Sequence, residues 1–170
     1  MNKNQPPRLI VLNGTSSSGK SSIAHLLHKA LLSPPRLLIK LDDLLYRLPL
    51  SEIDRSKYSE LTRPCFNTLC GYTLSAIENG LSCIVDTVFE EGWFVEFHKN
   101  LQRFEPIYIK VFCPLEVAQK REVERGDRKI GTAKSQFDEV HKDIEYSIEL
   151  DTSKLTPEES VSMILEFLQN

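Results

Sequence analysis

The run Gly14-Thr15-Ser16-Ser17-Ser18-Gly19-Lys20-Ser21 constrains this chain more than any other feature, because of what flanks it. Residues 8–12 (Arg-Leu-Ile-Val-Leu) are a short apolar run of the kind found in a strand buried on both faces. After Ser21, the residues Ile23, Leu26, Leu27, Ala30 and Leu31 recur at helical spacing. Glycine at positions 14 and 19 permits positive φ, so successive amides can turn inward and ring a phosphate. The helix that follows adds the positive end of its dipole and its unpaired N–H groups. In a Gly-x4-Gly-Lys-Ser loop the lysine reaches the β- and γ-phosphates and the serine hydroxyl ligates Mg²⁺. The bare pattern arises by chance in many proteins. Strand before and helix after make it a phosphate loop, with Gly14, Thr15, Ser16, Ser17, Ser18, Gly19, Lys20, Ser21 and Ser22 as the expected nucleotide contacts.

The rest of the chain alternates apolar runs with helical patterns, as a parallel sheet with crossover helices requires. Residues 37–41 read as a second strand ending at Asp42-Asp43, and 44–64 as a short helix and irregular loop. A helix over 66–79 closes at Gly80, and 81–86 form a third strand. Trp93, Phe94, Phe97 and Leu101 mark a further helix, and 107–113 a fourth strand. A charged helix over 115–125 runs into the basic, glycine-bearing segment 126–131, followed by a helix over 134–146. Residues 147–151 give a short fifth strand, and Pro157 opens a last helix over 158–168. The expectation is one α/β domain over residues 1–170, a five-stranded parallel sheet flanked by helices.

Composition removes several classes. A net charge of -3 gives no global field for nucleic acid, and no apolar run approaches the roughly 20 residues that span a bilayer. Residues 1–8 lack the apolar centre of a signal peptide, so a cytoplasmic location is expected. Cys65, Cys70, Cys83 and Cys113 contain no Cys-x-x-Cys pair and read as buried reduced thiols. His25 and His28 share a helix face but lack a nearby partner ligand, so a solvated surface is expected there.

Three features argue for transfer of a phosphate as well as its binding. Asp86 closes the third strand, where a carboxylate holds the metal directly or through water; the alternative is a turn cap. Asp42 ends the second strand on the carboxyl edge where the phosphate loop opens, and could take the proton of an attacking hydroxyl. Asp43 competes for that role, and either could simply cap the short helix that follows. Arg121, Arg125 and Arg128 lie in one helix and its flanking loop; they read either as a solvated face or as a lid over about 121–135 whose guanidinium forks match phosphate oxygens.

At this point the chain resembles the chloramphenicol phosphotransferase-like P-loop kinases, relatives of the shikimate and adenylate kinase group. The resemblance rests on residues 13–22, Leu41-Asp42, residues 85–89, Arg121-Glu122, residues 125–128, Val140-His141, Tyr146 and residues 150–152. It implies ATP and Mg²⁺ as cofactors, Asp42 as the base, and Arg125 and Arg128 in the lid. It also places Asp151-Thr152 near the adenine and a small hydroxyl-bearing molecule as acceptor. One departure concerns that acceptor. The antibiotic-modifying members carry a longer glycine-rich insert within the segment around 43–72 that the resemblance makes much of the acceptor pocket. Residues 50–64 here are instead short and charged, which fits an anionic or strongly polar acceptor or a solvated loop. A nucleoside or polynucleotide kinase and a non-catalytic ATP-dependent switch are the competing readings. The acidic balance counts against long nucleic acids, and no partner domain is evident for a switch.

Overall fold

The computed structural model describes residues 8–49, 58–90, 92–126 and 130–169. Its strands are β1 (Leu9–Asn13), β2 (Arg36–Lys40), β3 (Ser82–Thr87), β4 (Ile107–Phe112) and β5 (Ile148–Asp151), all parallel, in the order β2-β3-β1-β4-β5. Parallel neighbours need a crossover between them, and helices supply each one. They are α1 (Lys20–Ala30), α2 (Leu41–Tyr46), α3 (Tyr58–Glu78), α4 (Trp93–Leu101), α5 (Leu115–Arg125) and α6 (Thr132–Phe137), with α7 (Pro157–Gln169) after the last strand.

Strand side chains alternate between two apolar layers. Leu9, Val11, Cys83, Val85 and Tyr108 pack with Phe66, Leu69 and Ile77 of α3 and with Phe97 and Leu101 of α4. On the other face Ile10, Leu12, Ile84, Ile109 and Val111 meet Ile23, Ala24 and Leu27 of α1 and Ile164 of α7. Every residue of β1 and β3 is buried, which is why both read as continuous apolar runs. The connection leaving β1 heads toward β2, and that leaving the adjacent β4 heads toward β5. The crevice at the carboxyl ends of such a pair is where open α/β sheets bind ligands.

Three expectations need correction. The second strand ends at Lys40, and Asp42 and Asp43 lie in the first turn of α2, where carboxylates suit the positive end of the helix. Helix α3 begins at Tyr58, with Pro64 inside it. A proline there removes one helical hydrogen bond, and the burial of Cys65, Phe66, Leu69 and Cys70 against the sheet outweighs that loss. The helix expected over 134–146 is only Thr132–Phe137. The chain then turns, with Asp143 at φ 56, and brings Val140 and Tyr146 back to Asn13. Residues 50–57, most of the charged acceptor segment, lie outside the described residues.

The closure of α3 at Gly80, with φ 92, and the burial of all four cysteines as free thiols are as expected. Among the described residues no His, Cys, Asp and Glu cluster of metal-binding form occurs, and no helix is long and apolar enough to cross a membrane. His28 is less solvated than expected, because its Nε2 donates to the Arg36 carbonyl at 2.8 Å and ties α1 to β2.

Candidate active site

The loop between β1 and α1 is built differently at its two glycines. Gly14 is not left-handed; it is needed because a Cβ there would lie 2.0 Å from the Val111 carbonyl oxygen of β4. The left-handed residues are Gly19, at φ 92, and Ser17, at φ 62. For a non-glycine residue this conformation costs roughly 1–2 kcal/mol, and the loop holds Ser17 in it. Lys20 is buried and its Nζ donates to the Thr15 carbonyl at 2.7 Å, so its side chain spans the inside of the loop. The hydroxyls of Ser16, Ser17 and Ser18 are buried with no protein partner among the described residues. Buried donors without protein partners fit a cradle made for an oxyanion.

Facing the loop is a buried carboxylate. The Ser21 hydroxyl donates to Asp86 Oδ2 at 2.7 Å, and Asp86 is only 6% exposed. Burial raises the Asp86 carboxyl above its ordinary range; Lys20 and the Ser21 hydroxyl oppose this, and the Asp42 carboxylate adds to it. A hydroxyl and a carboxylate are hard oxygen ligands of the kind Mg²⁺ takes alongside water and phosphate oxygens. Ser21 and Asp86 therefore fit the metal role expected of them, and a cation there would offset the cost of the buried charge.

Ser16, Ser17, Gly19, Lys20, Ser21, Ser22, Asp42, Asp86 and Arg125 all line one cavity, with Leu41, Thr87 and Val88. Asp43 does not. It pairs with Lys40 at 2.9 Å and is half-exposed, so Asp42 is the α2 carboxylate that faces the loop. Gly14, Thr15 and Ser18 do not line this cavity. Next to this cavity lies a cleft of about 500 Å³, large enough for the nucleoside part of a nucleotide, lined by Arg121, Arg125, Thr152, Leu155 and Pro157. Arg121 donates to the Thr152 hydroxyl at 3.0 Å and to the Thr152 carbonyl at 2.8 Å. The Thr152 hydroxyl donates to the Ser18 carbonyl at 2.8 Å, which couples α5 to the loop. Asp151 turns away. It accepts from the Ser153 hydroxyl at 2.6 Å and pairs with Lys154, and these bonds hold its carboxyl below the usual range. Arg128 lies outside the described residues.

Sequence reasoning missed several residues here. Thr87, in register with Asn13 at the end of β3, has a buried hydroxyl with no protein partner among the described residues. Glu122 is buried and accepts from the amides of Gly131 at 2.7 Å and Ala133 at 2.9 Å. Gln136 accepts from the Ser16 amide at 2.8 Å. None carries a spacing signal: the contacts of Glu122 and Gln136 join segments that meet only in the fold, and the burial of the Thr87 hydroxyl is set by the sheet.

Comparison with known proteins bears on the family and the fold. A Mycobacterium tuberculosis protein named as a candidate O-phosphotransferase is 28% identical over 86% of this chain and 75% of its own length, in each of two strains. A candidate kinase from Chloroflexus aurantiacus superposes with a TM-score of 0.77 at 19% identity over 98% of both chains. The Mycobacterium tuberculosis APS kinase, solved with AMPPNP and APS, superposes at 0.70 and 15% identity over 98% of this chain and 100% of its own. Those two structures establish the P-loop kinase fold. The model of the chloramphenicol phosphotransferase-like proteins matches residues 7–169, and the chain belongs to that family.

Proposed function

We propose that this chain transfers the γ-phosphate of ATP to a hydroxyl of a small molecule, with Mg²⁺ held by Ser21 and Asp86. The observation that carries the proposal is the convergence of Lys20, Asp42, Asp86 and Arg125 on one cavity at the phosphate loop. The loop amides and Lys20 hold the phosphates, and the neighbouring cleft takes the nucleoside against Arg121 and Thr152. A Mg²⁺ ion at the loop would be held by Ser21 and Asp86 and would supply positive charge to offset that of the phosphates. Asp42 accepts the acceptor's hydroxyl proton as that oxygen attacks γ-phosphorus in line. The bond from γ-phosphorus to the bridging oxygen breaks, and ADP leaves with the electron pair. Arg125 faces the charge on the transferring group. The acceptor is assigned to the segment 43–72, which follows the cavity-lining Leu41 and Asp42 in the chain.

Asp42→Asn keeps the shape of the side chain and removes its basicity. Turnover is expected to fall by roughly 10²–10⁴-fold while ATP affinity stays within a few-fold. The measurement is ADP release with a panel of hydroxyl-bearing metabolites and antibiotics, with Lys20→Ala as the blank. Normal turnover by Asp42→Asn would remove it as the base. Phosphorylation of oligonucleotide ends and of no small alcohol would replace the acceptor class.

A further inference from the structure

The Ser16 N–H donates to Gln136 Oε1 at 2.8 Å. Gln136 is held over the loop from both sides. Ahead of it, the buried Glu122 carboxylate fixes the amides of Gly131 and Ala133, and Ala133 packs on Cys113 and Ala118. Beyond it, the Val140 carbonyl accepts from Asn13 Nδ2 at 2.6 Å. The side chain of α6 therefore meets the loop from a fixed base.

Ser16 lines the cavity that holds Asp42 and Asp86 but not the cleft of Thr152, Leu155 and Pro157. On the proposed function, on which this inference rests, Ser16 marks the end of the loop where the transferable phosphate sits. An anionic phosphate oxygen is a better acceptor for the Ser16 N–H than a neutral amide oxygen. If both oxygens faced that donor they would repel each other. A carboxamide resolves the conflict without backbone movement: rotation about its last torsion exchanges acceptor oxygen for donor nitrogen.

We propose that Gln136 is a ligand of the terminal phosphate of a nucleoside triphosphate, its carboxamide turning over so that the nitrogen donates to a γ-phosphate oxygen drawn to the Ser16 N–H. Gln136 thereby distinguishes the triphosphate from the diphosphate, and α6 carries this contact to the loop.

The test measures binding of a non-hydrolysable ATP analogue and of ADP, each with Mg²⁺, by titration calorimetry. The proteins are the wild type, Gln136→Met and Gln136→Glu. Methionine matches the length of the half-buried glutamine, and circular dichroism confirms folding. Gln136→Met is expected to weaken the analogue by about tenfold and leave ADP within about twofold, the loss of one charge-assisted hydrogen bond. Gln136→Glu weakens the analogue further, since its carboxylate presents only acceptor oxygens to the phosphate. Equal losses for both nucleotides would mean that Gln136 only docks α6 and would overturn the proposal, as would unchanged affinity for both. A wild type that binds neither nucleotide would overturn the proposed function itself.

Discussion

At Gly14 the loop passes so close to β4 that only a hydrogen fits, because a Cβ would overlap the Val111 carbonyl oxygen at 2.0 Å. The obstacle is backbone of a strand bonded on both sides, so it cannot give way as a side-chain tip would. Gly14→Ala is therefore expected to lower stability by about 1–3 kcal/mol and to weaken nucleotide binding, read from urea unfolding and titration. Gly71, exposed within α3, is the internal comparison: a Cβ there meets nothing within 4 Å. Gly71→Ala should stabilise by about 0.5–1 kcal/mol through helix propensity alone. An unchanged urea midpoint for Gly14→Ala would show that the loop can shift away from β4. Sequence made this loop legible because its chemistry is contiguous. It placed glycine at the right position for the wrong reason, since the contact with Val111 exists only once β1 and β4 pair.

At the scale of the element, α6 shows why helices near the site were harder to read than strands. Glu122 sits in the charged stretch 115–125, and from sequence such a carboxylate looks the same whether it faces water or a folded-back backbone. It is 1% exposed and accepts two amides where the chain re-enters α6. Glutamine at this position offers one acceptor oxygen to two donors and aims its own N–H₂ at one of them. Glu122→Gln is expected to cost about 1–3 kcal/mol and to speed hydrogen exchange at the Gly131 and Ala133 amides selectively. Unchanged protection at both amides would mean that the helix does not depend on this cap. The same blindness explains α2 and α3. Asp42 and Asp43 read as the end of a strand because carboxylates also belong in the first turn of a helix. The start of α3 was hidden by Pro64, which propensity takes as a boundary and tertiary packing tolerates.

Over the whole molecule, Asn13 gathers the connections that meet at the carboxyl edge. Its Oδ1 accepts from the Phe89 amide at 2.9 Å, and its Nδ2 donates to the Val140 carbonyl and to the Tyr146 hydroxyl at 2.7 Å. Tyr146 in turn donates to His141 Nδ1 at 2.8 Å, so His141 is a neutral acceptor here. Burial first, then the positive charges of Lys110 and Lys20, push His141 down from 6.5 to about 4, against a smaller opposing effect of Glu149. The folded state thus favours the unprotonated ring, while the unfolded chain protonates near the ordinary value. Between about pH 6.5 and 4 the unfolded state binds the extra proton, so this contribution is complete above pH 6.5 and is lost as pH falls through that window. Thermal unfolding of wild type and His141→Gln at pH 7 and pH 5 isolates it, because the other titrating groups are common to both proteins. The wild type is expected to lose more Tm than the variant on acidification, by about 2–4 °C for each kcal/mol involved. Parallel losses would show that the Asn13, Tyr146 and His141 chain does not couple protonation to the fold. A larger loss in the wild type would show that protonation of His141 opposes folding at the carboxyl edge of the sheet, where Asn13 and Tyr146 meet it.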